Sequence, residues 1–424
     1  MAHVLVLSLV YPPDGVSTAV ILGELSADLK KAGHDVTVVT TVPHYNRDVG
    51  AEARQPLVRM WGPVLYRSEF QGARVLHVVM PRKSKSVLLR LLAWIQFHIL
   101  SLVVALALVR RVDVIVTPSP PLTIGVCAWL LGVCYRAPYI YNVQELYPDI
   151  AISLGALRNR GVIAVLFALE RFVYARARFI TVIAPGMRRR ILKKAVAPEK
   201  VRLIPNFVDA DDMVPGPKTN AFSHQHDLED AFVVAYAGNM GPAQGLDTVL
   251  DAAGLLKNES RVRFLLVGEG TSFDRLKSLV DERRLTNVLM LSHQPYALVP
   301  QIYAASDLCV VPLALNTGSD AVPSKVYRIM ACARPVLVCA DPESDLAELI
   351  RVAQCGIVVP PGSPEALASA VVAAMRDASA CAAMGEAGRR HVLTHYTRPS
   401  VSAQYEALVR EATGAPAPHV IPHG

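Results

Sequence analysis

Acidic residues are scarce in the first half of this 424-residue chain: residues 1–212 hold 15 Asp+Glu against 26 Lys+Arg, whereas 213–424 hold 21 against 17. The halves carry +11 and −4, so the formal +7 of the whole resides in the first. Such an imbalance suits an anionic partner of that half: nucleic acid, acidic lipid or a diphosphate-bearing substrate. Aromatics are few, 6% of residues. The basic clusters Arg82-Lys83-Lys85 and Arg188-Arg189-Arg190 with Lys193 and Lys194 sit beside apolar stretches instead. That ranks lipid headgroups above nucleic acid and leaves a merely solvated face as the alternative. Cysteine is sparse and unpatterned. Seven occur, without a Cys-x-x-Cys pair and mostly in apolar runs such as those of Cys127, Cys134, Cys309 and Cys339. This excludes a disulfide framework or zinc site and reads as reduced core thiols of a cytosolic protein. No secretory leader is expected: the run Val4–Val10 has no basic residues before it, and Tyr11-Pro12-Pro13 ends it like a loop after a strand.

Apolar residues are plentiful, at 52% with a mean hydropathy of +0.33. The length fits two domains of roughly 200 residues each. Runs at Val4–Val10, Val36–Thr41, Val112–Val116, Tyr139–Val143, Phe179–Ile183 and Val201–Pro205 alternate with helical stretches, as in a parallel α/β sheet. Asp209 to Asp230 then carries Pro215, Gly216, Pro217, Asn220 and several acids, as a surface linker would. The rhythm restarts with Phe232–Tyr236, Arg263–Val267, Val288–Leu291, Leu308–Pro312, Val336–Cys339 and Gly356–Val359. Two successive α/β domains with a cleft between them are the economical reading. Val87–Val109 is almost wholly apolar and flanked by Arg and Lys. It reads either as a helix partly packed and partly dipped into a membrane interface, with Trp94 as anchor, or as a buried core helix.

Ligands of doubly wound sheets bind beyond the carboxyl ends of the strands. The first such loop, Pro12 to Thr18 with Gly15, precedes a helix whose N-terminus suits phosphate, although an ordinary turn explains one glycine. Gly238-Asn239-Met240-Gly241-Pro242-Ala243-Gln244-Gly245 is sharper. Its glycines let a diphosphate approach the main chain, and Asn239 and Gln244 offer amides. Gly268-Glu269-Gly270 and His293-Gln294-Pro295-Tyr296 are further post-strand loops, suited to a base and ribose. The loop with Asp320 and Ser324 leads into a helix opening at Lys325, where a cation is poorly placed for the dipole and well placed for a leaving diphosphate. Asp209-Ala210-Asp211-Asp212, His34 and His44 read as solvated or loop residues rather than metal ligands or bases.

Taken in order, Gly-Asn-x-Gly-x-Ala-Gln-Gly-Leu, Val-Gly-x-Gly, Pro-Tyr-x-x-x-Pro, Ala-x-x-Asp-Leu and Pro-Ser-Lys before Met330-Ala331 resemble the retaining GT-B glycosyltransferases of the family 4 type. The branch concerned builds O-antigen, capsule and colanic-acid-type polysaccharides. Lys31-Ala32-Gly33-His34-Asp35-Val36, Glu145-Leu146-Tyr147-Pro148-Asp149 and Ile204-Pro205-Asn206-Phe207-Val208-Asp209 agree, so the resemblance runs from about Val4 to Val409. It implies two Rossmann-like domains facing a central cleft, with a C-terminal helix crossing back to the first. The expected division is an acceptor domain at 1–207 with a membrane-associating helix at 87–109, a linker at 208–230, a nucleotide-sugar domain at 231–396, a crossover helix at 397–412 and a disordered tail at 413–424.

The resemblance further implies that Gly15, Gly238, Asn239, Gly241, Gln244, Glu269, Gln294, Pro295, Tyr296, Asp320, Ser324, Lys325 and Arg328 border the donor. It implies retention of anomeric configuration with no cofactor or bound metal. Lys325 would meet charge on the leaving group. Glu145, with Asp149 as a further candidate, would either assist the acceptor or merely pair structurally. The chain departs from the family where two glutamates usually stand eight positions apart, which here are Asp320 and Arg328. The expected activity is transfer from a UDP- or GDP-linked sugar to a polyprenyl-diphosphate-linked glycan, in the cytoplasm at the inner face of the plasma membrane, without nucleic acid. A nucleotide-sugar 2-epimerase of the same fold and an inactive membrane-bound scaffold are the rivals.

Overall fold

The computed structural model describes residues 1–44, 49–81, 87–153, 155–315 and 322–415. Arg82, Lys83, Lys85, Asp320 and the tail from 416 lie outside them. The chain divides into two compact units, the first comprising Met1–Ile152, Leu157–Pro205 and the chain from Pro399, the second Ser153–Ala156 and Asn206–Arg398.

The first unit is built on nine strands: β1 (His3–Leu7), β2 (Asp35–Thr41), β3 (Val58–Trp61), β4 (Leu65–Phe70), β5 (Ala73–Val78), β6 (Val114–Ser119), β7 (Tyr139–Val143), β8 (Phe179–Val182) and β9 (Val201–Leu203). Their spatial order is β3-β4-β5-β2-β1-β6-β7-β8-β9. From β5 to β9 every pairing is parallel, and β2, β6, β7 and β8 are buried almost throughout, as strands covered on both faces must be. The antiparallel run β3-β4-β5 is an element the apolar pattern did not disclose. β3 is largely exposed, β4 alternates half-buried with exposed residues, and β5 is largely buried; Gln71-Gly72, both at positive φ (46° and 83°), form the two-residue turn between β4 and β5.

Helix Ser17–Lys31 ends where Gly33 turns at φ 87°, and helix Val87–Leu108 lies on β2 and β5. The latter is no buried core helix. Ala93, Phe97, Ser101, Val104 and Ala105 face inward, while its opposite side is exposed. Trp94 is half-buried rather than projecting. Among the described residues no single helix is long and apolar enough to cross a membrane.

The second unit carries β10 (Phe232–Ala237), β11 (Val262–Val267), β12 (Val288–Leu291), β13 (Leu308–Pro312), β14 (Val336–Cys339) and β15 (Gly356–Val359), all parallel, in the order β12-β11-β10-β13-β14-β15. Alternate residues of β10 and β11 feed two separate cores. Val234, Tyr236, Phe264 and Leu266 enter one, and Val233, Ala235, Leu265 and Val267 the other. The second core also takes Phe222 and Leu228, so much of the segment read as a surface linker packs onto this sheet. Asn220 caps the short helix Ala221–Gln225, and Lys218 pairs with Asp307 at 2.6 Å.

Asp209 is likewise not merely solvated: it pairs with Arg398 at 2.9 Å, where the bridge Val208↔Thr397 joins the start and end of the unit. Helix Arg398–Thr413 then returns to the first unit. Tyr405 Oη accepts from the Asn142 amide at 2.7 Å, and Ser402 donates to Asp28 at 2.7 Å. His34, in the turn between helix Ser17–Lys31 and β2 as expected of a loop residue, is nonetheless buried. Its Nδ1 accepts the Ala2 N–H at 3.3 Å, which leaves Nε2–H to donate to Glu406 at 3.3 Å. His44, in the loop after β2, is half-buried, its main-chain N–H donating to the Asp14 carboxylate at 2.8 Å. The cysteines are free and buried except Cys134, which is exposed despite its apolar run.

Candidate active site

In the second unit the strand order reverses between β10 and β13, so the loops leaving their carboxyl ends open a crevice at the switch point. The loop after β10 contains Gly238 at φ 149°, and the helix after β13 runs Lys325–Ala331 with Ser324 as its half-buried N-cap. A Cβ on Gly238 would lie 2.7 Å from Lys325 Nζ. The positive φ favours glycine at 238, and the missing side chain leaves room for the ammonium beside the main chain.

Lys325 Nζ rests 3.8 Å above the centre of the Tyr236 ring, and the Tyr236 hydroxyl donates to Asn239 O. Lys325 keeps part of its surface, but its ammonium is largely stripped of water. That desolvation, reinforced by Arg328 one turn later, lowers its pKa to about 7. Arg328 itself sits 5.2 Å from the Tyr296 ring. An anion entering here meets two cations and restores charge that burial has withdrawn.

Around this centre the loops lock together. Gly238 N–H donates to Val267 O at 2.9 Å, and Met240 N–H to Glu269 O at 2.7 Å. Gly268 (φ 145°) and Gly270 (φ 154°) are required by this interlock, because their Cβ atoms would fall 1.9 Å from Gly238 O and 2.4 Å from Met240 O. Gly241 N–H donates to Gln244 Oε1 at 2.9 Å, and the Asn239 amide reaches the same oxygen at 3.4 Å. Gln244 thus spends its oxygen on shaping the loop and keeps only its NH2 for a ligand. Ala314 N–H donates to Ala243 O at 3.0 Å, joining the loops after β10 and β13.

Gly238, Asn239, Gly241, Gln244, Ser324, Lys325, Arg328 and Tyr296 are therefore gathered at one end of one sheet. Glu269 and Pro295 are exposed on the neighbouring loops, and Gln294 is half-buried with its amide donating to Ser292 O at 3.2 Å. Tyr236 was missed, although an aromatic immediately before Ala237-Gly238 is its sequence trace.

Gly15 and Glu145 belong to the first unit, in the loops after β1 and β7. Glu145 is reached by solvent, has no ion-pair partner among the described residues, and is raised above the usual carboxylate range by desolvation. Asp149 is otherwise engaged. It accepts from Lys194 at 2.6 Å, which also donates to the buried Glu170 at 2.7 Å. That turns Lys194 inward and removes it from any basic surface cluster.

A Gly-rich loop and a buried lysine at the switch point of one parallel sheet, in a chain whose last helix returns to a second such sheet, define the GT-B class of glycosyltransferases. Two family models match in succession, "Glycosyl transferase 4-like domain" over residues 15–206 and "Glycosyl transferases group 1" over 218–391. The chain belongs to this glycosyltransferase family and is a glycosyltransferase. It is 27% identical over 379 residues to WcaI of Escherichia coli (strain K12), described as a colanic acid biosynthesis glycosyl transferase, covering 87% of this chain and 91% of WcaI. It is 28% identical over 291 residues to the glycosyltransferase WbjE of Pseudomonas aeruginosa, covering 68% of this chain and 72% of WbjE. The structure of Anabaena HepE in complex with UDP-glucose superimposes with a TM-score of 0.73 at 16% identity, over 98% of this chain and all of that one.

Proposed function

We propose that this glycosyltransferase moves a sugar from a UDP- or GDP-linked donor to a polyprenyl-diphosphate-linked glycan in cell-surface polysaccharide biosynthesis, with retention, at the cytoplasmic face of the membrane. The observation that carries the reading is the Lys325 ammonium held under Gly238 at the switch point. Breaking the anomeric bond places negative charge on the departing diphosphate. Lys325 and the main-chain N–H groups of the glycine loop meet that charge without reorganising, an effect of about 3 kcal/mol per donor in strong cases. Asn239, the Gln244 NH2 and Ser324 are further donors to the diphosphate, and Gly15 belongs to the same proposed donor set. Glu269, Gln294, Pro295 and Tyr296 cover base and ribose. Asp320 belongs to the same donor set. Arg328 serves the donor where relatives of this type carry a glutamate.

The reaction keeps configuration when the acceptor hydroxyl attacks from the face the diphosphate leaves and surrenders its proton to that phosphate. Glu145, its pKa raised by desolvation, orients the acceptor hydroxyl, whose proton goes to the phosphate. Two relatives support the substrate class, WcaI being described for colanic acid biosynthesis and HepE being solved in complex with UDP-glucose. The test incubates purified protein with nucleotide sugars and bacterial lipid extract and follows the lipid fraction by mass spectrometry. The expected result is a lipid one sugar heavier, absent with Lys325→Ala. Consumption of no nucleotide sugar overturns the reading in favour of an inactive scaffold, the alternative that Arg328 favours.

A further inference from the structure

The two sides of the first unit's sheet are finished differently. In the order β5-β2-β1-β6-β7-β8, the connections β5→β6, β6→β7 and β7→β8 all run one way and β1→β2 the other. Right-handed crossovers therefore put helices Val87–Leu108, Ile124–Tyr135 and Arg160–Arg176 on one side and Ser17–Lys31 on the other. The Ser17–Lys31 side is overlaid by the C-terminal helix, through Ser402 to Asp28 and Glu406 to His34. The three-helix side has no second layer among the described residues. Its helices touch in sequence, the first against the second and the second against the third.

This uncovered side is strongly apolar. Leu92, Ile95, Ile99 and Val103 follow one another at helical spacing, and Val133 and Val165 continue the surface on the next two helices, each at least half exposed. Ten of the twenty exposed large apolar side chains among the described residues lie on these three helices, where a monomer normally scatters them. The charges on the helices have one sign. Their only acidic residue is Glu170, which is buried against Lys194. Arg110, Arg136, Arg160 and Arg176 are exposed at the helix ends, and the Arg176 guanidinium stands 6.0 Å from Trp129 and 5.7 Å from Phe172.

We infer that this three-helix face docks on an anionic lipid bilayer, with the apolar side chains in the interface and the arginines on headgroup phosphates. Charge complementarity selects this occupant. A second copy would bring four more arginines against these, whereas lipid phosphates neutralise them. The surface extends well beyond the single helix and Trp94 anchor expected from sequence. It also sets an orientation: helices lying in the interface keep the sheet parallel to the bilayer, so the loops of Gly15 and Glu145 open along the membrane surface, where a lipid-borne acceptor arrives sideways. That last step rests on the proposed lipid-linked acceptor; the docking itself does not.

The experiment is co-sedimentation of the full chain with vesicles of phosphatidylcholine, alone or mixed with phosphatidylglycerol, at low and high salt. Wild type is expected to bind the mixed vesicles and to be released by salt. Ile95→Glu with Ile99→Glu should lower partitioning at least about tenfold. Arg110→Glu with Arg176→Glu should abolish the preference for anionic lipid. Leu255→Glu, an exposed apolar residue of the second unit, should leave binding unchanged. All these sites are exposed, and thermal melts and nucleotide titration confirm that each variant is folded. Failure of wild type to bind either vesicle, or equal binding by the Ile95/Ile99 variant, overturns the inference. So does light scattering that finds a wild-type dimer made monomeric by that variant, which assigns the face to a second copy. Nucleotide titration is read on the same samples, so loss of the donor reading registers separately from loss of docking.

Discussion

Lys325 is where the burial of a charge costs the fold stability. Its pKa is about 7 in the folded chain against 10.5 for an unperturbed lysine. Between those values the unfolded chain holds a proton that the folded chain has shed. The penalty on the fold therefore grows as pH falls from 10.5 towards 7 and is constant below. Lys325→Met should stabilise the protein by about 1–3 kcal/mol at or below pH 7, with the gain vanishing as pH approaches 10.5, while abolishing transfer. Calorimetric melts across pH check this; a lower Tm at pH 7 would mean that the ammonium is already compensated. Arg328→Gln should weaken nucleoside diphosphate binding about tenfold, the worth of a charge-assisted hydrogen bond, without shifting Tm. Unchanged affinity in a titration would remove Arg328 from the donor contacts. Lys325 and the glycine loop were readable in the sequence because a cation at a helix start and three glycines after a strand contradict local preference. Tyr236 beneath the ammonium was not, since nothing local links positions 236 and 325.

At the scale of elements, the interlock of the loops after β10 and β11 holds the site open. Gly268→Ala would force a Cβ to 1.9 Å from Gly238 O at a φ that alanine rarely adopts. It should cost about 2–4 kcal/mol and impair nucleotide binding, whereas Gly33→Ala, also at positive φ but with nothing within 4 Å, should cost about 1 kcal/mol and spare it. Urea unfolding with and without nucleotide separates the two. The parallel strands could be read in advance because burial on both faces leaves uninterrupted apolar runs; β12 to β15 begin and end where those runs do. The hairpin strands β3 to β5 could not, because strands with an exposed side mix Arg67, Ser68 and Glu69 with apolar residues and blur the pattern. The linker was misjudged for a related reason: its prolines and acids hid Phe222 and Leu228, two anchors too far apart to make a periodic signal.

At the scale of the whole molecule, the C-terminal helix belongs to the first unit although the second precedes it in the chain. Tyr405, buried with its hydroxyl on Asn142, is the centre of that attachment. Tyr405→Ala should destabilise the first unit by about 3 kcal/mol and leave nucleotide affinity in the second unchanged. Hydrogen exchange should localise the loss to β7, β8 and the returning helix. The charge division also acts at this scale, since the basic first half contains the arginine-rimmed face and the acidic second half contains the glycine-rich loops proposed to take the nucleotide. In the proposed function the crevice between β10 and β13 holds the donor diphosphate through Lys325. Isothermal titration of UDP and GDP into wild type and Lys325→Ala tests it most directly. Micromolar binding of one nucleotide, lost in the variant, with proton uptake near pH 7 as Lys325 recharges, is the predicted result; equal binding by both proteins, or none by either, would contradict it.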